Sequence, residues 1–126
     1  MSKVKKSKVI NLTPHVIVIY DQSGRRVIEK IPRDDDEEVA RCDRMNITDL
    51  EPIRFGRNEI PLQKSVLGRR ASLPEPREGV WLIVSGMVRH RHPERRDLLS
   101  PDTTPSSVIK ARNGRIIGVK RLLCNG

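Results

Sequence analysis

Val16-Ile17-Val18-Ile19-Tyr20 is an unbroken run of β-branched and aromatic residues. Such side chains lose χ1 freedom in a helix and pack well on a pleated surface. The run predicts a strand buried on both faces. Asp21-Gln22-Ser23-Gly24 supplies turn chemistry, and residues 25–31 read as the returning strand, stopped by Pro32. A second run, Val80-Trp81-Leu82-Ile83-Val84, follows Gly79 and predicts another central strand. Asn113-Gly114 between the β-prone segments 108–112 and 115–122 predicts a type I′ hairpin.

The segments between these runs carry weaker signals. Five consecutive acids at 34–38 predict an exposed loop or the first turn of a short helix. Residues 39–44 read as a short strand. Residues 46–58, with Pro52 and Gly56, read as irregular. Residues 60–67 read as an edge strand, because Pro61 cannot donate to a ladder. Residues 73–79 form a rigid connector, and 87–92 form either a helical turn or a strand continuation ended by Pro93. The expected class is mainly β or α+β: a small twisted antiparallel sheet or partly open barrel with one short helix. An exposed edge strand in such a fold would favour a homodimer.

A chain of 126 residues, 36% hydrophobic, accommodates one domain with a modest aliphatic core. Its only aromatic residues are Trp81, Tyr20 and Phe55, which argues against the stacked rings of single-strand nucleic-acid binders. The net charge is +9, of which four units come from Lys3, Lys5, Lys6 and Lys8. The expected organisation is a basic flexible tail over 1–8 and a single β-rich domain over 9–126. No run of about 20 apolar residues crosses a membrane, and the basic N-terminus does not lead into a signal sequence. A soluble, intracellular protein without a membrane partner is expected. Cys42 and Cys124 would be free thiols in a mesophilic cytosol, or one disulfide in a hyperthermophile.

Two stretches carry chemistry. In Asn11-Leu12-Thr13-Pro14-His15, Pro14 biases Thr13 toward extended backbone, and Asn11 and Thr13 can bond local backbone groups. His15 is either a satisfied residue at the start of the strand or a base or ligand group. In residues 85–102, Arg89, Arg91, Arg95 and Arg96 could form a phosphate-gripping patch, or be paired in part with Glu94 and Asp97. His90 and His92 share a face only if the segment is a strand, and a zinc site would need further ligands such as His15 or Cys42. Ser85, His15 and Asp97 could be drawn as a hydrolytic set, but no G-x-S-x-G elbow surrounds Ser85, whose simpler role is to cap the turn after the strand. Asp43, Asp97 and Asp102 lack the spacing of a nuclease metal site. No cofactor is implied.

The Asn11-Leu12-Thr13-Pro14-His15 block, taken with LPEPREGVWLIVSGMVRHRHPERRDLLSPDT at 73–103 and the hairpin after it, resembles a family of small proteins of phages, prophages and archaeal viruses. The resemblance spans most of the chain and is weakest over 33–72. It singles out Asn11, Thr13, Pro14, His15, Ser85, Arg96, Asp97 and Pro101 as motif positions. It implies a viral setting in a hot archaeal cytoplasm and implies no reaction. The leading expectation is a non-enzymatic viral accessory protein that binds nucleic acid or a viral or host protein. The alternatives are a small hydrolase or nuclease-like enzyme using His15 with Asp97 or Asp102, and a virion or nucleocapsid-associated protein whose basic tail neutralises genome charge.

Overall fold

The computed structural model of the chain describes residues 7–41, 46–66, 68 and 70–126. Lys3, Lys5, Lys6, Cys42 and Asp43 lie outside the described residues. Strands account for 44% of the chain and one short helix accompanies them, so the protein is mainly β. The strands are β1 (Lys8–Asn11), β2 (Ile17–Tyr20), β3 (Val27–Ile31), β4 (Asn46–Phe55), β5 (Asn58–Val66), β6 (Val80–Ile83), β7 (Leu98–Pro101), β8 (Val108–Lys110), β9 (Ile116–Val119) and β10 (Leu122–Cys124). Helix α1 (Gly86–Arg91) follows β6.

These strands form three separate sheets, with orders β1-β6-β7-β10, β3-β2-β9-β8 and β4-β5. None closes into a barrel. The two larger sheets are mixed rather than purely antiparallel: β6 pairs parallel with β1 and β7, and β2 pairs parallel with β9. Lys8, expected in a tail, is the first residue of β1 and pairs with Val80.

The main core lies on one face of the first sheet. Ile10, Leu12, Leu82, Val84, Leu98 and Val88 of α1 pack there with Ala40 and Ala71. Ile83 points to the opposite face by strand alternation and is also fully buried. The helix starts at Ser85, whose hydroxyl accepts the Val88 N–H at 3.2 Å, and so reads as the cap expected of it.

The β2–β3 hairpin forms as the sequence predicts, with Gly24 at φ 75° in its turn. Strand β2, however, is only partly buried, and Val16 before it is exposed, because the second sheet leaves one face uncovered there. The β8–β9 hairpin also forms, but its turn is not type I′. Only Gly114 has positive φ, and the bonds Gly114 N–H to Ala111 and Ala111 N–H to Arg115 define a type I turn closed by a glycine bulge.

The edge strand expected over 60–67 is present as β5, and the largest departure is at 46–58. Residues expected to be irregular form β4, a ten-residue strand paired antiparallel with β5 in a hairpin of its own. The acids at 34–38 form a turn, not a helix, and residues 39–41 are not a strand.

Gly118 sits where β9 crosses beneath Tyr20. A Cβ there would lie 2.5 Å from the Tyr20 ring and 2.9 Å from the Val18 carbonyl oxygen. Because the backbone oxygen cannot swing away, Gly118→Ala is expected to lower stability by about 1–3 kcal/mol in chemical denaturation.

Candidate interaction surface

Asn11 ends β1, and its buried carboxamide fixes the chain that follows. Its Nδ2 donates to the carbonyls of His15 (2.7 Å) and Ile31 (3.0 Å), and its Oδ1 accepts from the Thr13 N–H (2.9 Å) and hydroxyl (2.7 Å). This network leaves the His15 ring exposed at the rim of an open depression of about 450 Å³, lined also by Thr13, Pro14, Ser85, Pro101 and Thr103. An adjoining depression of about 300 Å³ runs past Val16 and Val18 to Ile116 and Ile117. The two distant motif blocks thus meet at one place.

Neither depression has a carboxylate among its lining residues. Asp97 lies at the other end of β6 and β7, in a different depression with Arg77 and Trp81. The guanidinium of Arg95 engages both Asp97 oxygens, at 2.9 and 2.8 Å, and holds its carboxyl below the usual range. Asp102 is buried and accepts the Thr104 N–H at 3.0 Å and the Arg121 Nε–H at 2.8 Å, bonds that also lower its pKa. His15 is therefore not placed with Asp97, and the Asp102 carboxylate is turned to Arg121.

The Arg/His strip is largely internal. Arg89 is buried, donating from Nε to Ser100 Oγ (2.7 Å) and from Nη1 to Asn125 Oδ1 (3.0 Å). Asn125 Nδ2 in turn reaches the carbonyls of Arg89, His92 and Arg95 at 3.0–3.2 Å. Arg91 donates to the Gly68 carbonyl at 2.8 Å, and Arg95 to the Pro74 carbonyl at 2.8 Å. Arg96 alone of the four is exposed without a partner among the described residues. Helix α1 ends at Arg91 and His92 is its C-cap, so His90 points to solvent while His92, 6% exposed, points inward and bonds Arg70 through Nδ1 at 3.0 Å. The two imidazoles do not share a face, and the two-histidine metal site is not formed. Among the described residues no three His, Cys, Asp or Glu side chains gather as a metal site. Cys124 is a free, exposed thiol.

The feature that sequence reading missed is the β4–β5 hairpin. Every side chain described over 47–66 is exposed. Cross-strand pairs share a face, and faces alternate along each strand. The register pairs Thr48 with Lys64, Leu50 with Leu62, Ile53 with Ile60 and Phe55 with Asn58. Between Leu50 and Ile53 the β4 strand carries one extra residue, a β-bulge opposite Pro61. The bulge keeps Leu50 and Ile53 on the same side despite their odd spacing. One face therefore carries Val66, Leu50, Leu62, Ile53, Ile60 and Phe55. The other carries Ile47 beside Ser65 at the base and, beyond it, the cross-strand bonds Gln63–Asp49 (2.8 Å) and Arg54–Glu59 (3.5 Å). Three acids and three bases balance over 46–66.

Comparison with family models, curated proteins and solved structures found no match. No helix among the described residues is long and apolar enough to cross a membrane.

Two outcomes are expected. Arg89→Ala leaves Ser100 and Asn125 without their buried partner and should cost about 2–4 kcal/mol in chemical denaturation, whereas Arg96→Ala should change stability by less than about 0.5 kcal/mol. Burial, then the charges of Arg70, Arg95 and Arg91, hold the His92 pKa below its ordinary 6.5. The unfolded chain therefore takes up a proton first as pH falls, so stability should rise with pH from the folded pKa up to about 6.5 and level off above it. Thermal melts across pH should show this stage, and His92→Gln should remove it while leaving the later loss, below pH 3.8, as Asp97 and Asp102 become protonated.

Proposed function

We propose that this chain is a non-enzymatic viral accessory protein that binds a protein partner through its projecting β4–β5 hairpin. The observation that carries this reading is the hairpin's apolar face: six large aliphatic or aromatic side chains, all on one side and all exposed. A two-stranded ribbon is marginally stable in water unless a second layer covers it. Soluble proteins rarely leave such a contiguous apolar surface without a partner for it.

The same features disfavour nucleic acid as the ligand of this element. The arm carries no net charge, and duplex binding draws its affinity from phosphate neutralisation. Three of the four strip arginines bond acceptors of the protein's own chain. An enzymatic reading lacks support, since the depression beside His15 has no acid with which to pair it.

The reading is tested by placing a benzophenone photo-cross-linker at position 62, on the apolar face, or at position 63, on the polar face. After irradiation in the native cell, discrete protein adducts are expected from position 62 and few from position 63. Nuclease-sensitive adducts, equal yields from both faces, or no adduct at all would sink it.

A further inference from the structure

Taking the hairpin as the binding element, we infer that its occupant is a second copy of this chain. The two hairpins stack apolar face on apolar face about a two-fold axis. The inference deepens the proposed function and rests on it.

Area is the first argument. Exposed fractions on the six apolar side chains run from 40% for Leu62 to 76% for Phe55. Val66 lies at the base, beyond the reach of the second copy's tip; the other five correspond to on the order of 500 Å² per copy, so a self-paired face removes about 1,000 Å², the size that a specific interface must reach. A ribbon face with one apolar stripe can pair with its own copy. Two-fold pairing needs the same patch on both partners and nothing else. Sheets packed in this way lie about 10 Å apart, with the side chains of the two inner faces interdigitating.

Charge then selects the direction. The apolar face carries a single charged residue, Lys64, opposite Thr48 near the base of the hairpin. Stacked base to base, the two lysines would meet as like charges in a dry interface. Stacked base to tip, with the axis between the Leu50–Leu62 and Ile53–Ile60 pairs, Lys64 falls beside the second copy's Phe55. Its stem covers the ring, and the ammonium gains a cation–π contact at the rim. Asp49, Arg54, Glu59 and Gln63 stay on the outer, solvated faces.

Sedimentation of the full-length chain between about 1 and 100 µM gives the direct test. The mass is expected to rise toward twice 14.4 kDa. Leu62→Lys is expected to keep the chain at the single-copy mass throughout, and Gln63→Lys on the opposite face to leave association unchanged. A wild-type chain that stays single over the whole range overturns the second-copy inference. Face-specific cross-links from position 62 to a different protein would then leave the proposed function standing. A two-copy mass that survives Leu62→Lys overturns the inference as well. Should that variant fail to fold, hydrogen exchange on the wild type decides: dilution should remove protection from β4 and β5 amides while those of β6 and β7 stay protected. Concentration-independent exchange in β4 and β5 counts against the inference.

Discussion

The fold turns on one buried carboxamide. Asn11 is 1% exposed and stands at the end of β1, in the first sheet. Its Nδ2 reaches the Ile31 carbonyl at the end of β3, in the second sheet, as well as the His15 carbonyl before β2. One side chain of the first sheet thus satisfies a backbone acceptor of the second sheet and another in the loop that enters it, while its oxygen holds Thr13. An apolar residue of that size would take one donor from each of these part-buried carbonyls and leave the buried Thr13 N–H without its acceptor, and such losses exceed the modest worth of the bonds themselves. The parallel bridge between Asn11 and Arg33 strengthens the same junction. The loop through Pro14 and His15 is consequently held in place, which is why it can form the rim of a depression.

A second polar clamp, around Arg89, does for the C-terminal strand what Asn11 does for the first. The guanidinium joins α1 to β7 through Ser100 and to the end of the chain through Asn125. Asn125 then gathers three carbonyls from the helix end and the loop after it. This accounts for a basic strip that is not a basic surface. A chain with few aromatic residues and a small aliphatic core holds its layers with buried polar groups whose partners are nearly all provided. His92 Nε2 and Arg91 Nε are the buried side-chain atoms without a partner among the described residues.

Much of the fold was legible because its signals are local. The β2–β3 hairpin announces itself through a β-branched run and Asp-Gln-Ser-Gly, and β6 through an apolar run between Gly79 and Ser85. The parallel pairings were not legible, because register between distant strands leaves no local mark. The β4–β5 hairpin was hidden for a different reason. Its apolar residues fall at 47, 50, 53 and 55, a spacing that fits neither strand alternation nor a helix stripe, and Pro52 and Gly56 read as breakers. The bulge reconciles the spacing with a strand. The Arg strip misled in the opposite sense: residue type suggested a phosphate grip, whereas distant acceptors at Gly68, Pro74, Ser100 and Asn125 engage three of its four arginines.

That single extra residue in β4 acts as a phase shift in a repeating signal. Base-ward of it, the ribbon's apolar side is set by Leu50 and Val66; tip-ward, by Ile53 and Phe55. Excising one residue at 51 or 52 would bring Leu50 and Ile53 to the ordinary two-residue spacing, and the ribbon would keep one greasy side with no phase shift to correct. Excising both would make Leu50 and Ile53 chain neighbours and throw the tip half-cycle onto the side opposite the base, where no single neighbour could cover both halves. The ribbon thus reads the length of this segment by parity, and the bulge is the device that makes an odd gap behave as an even one.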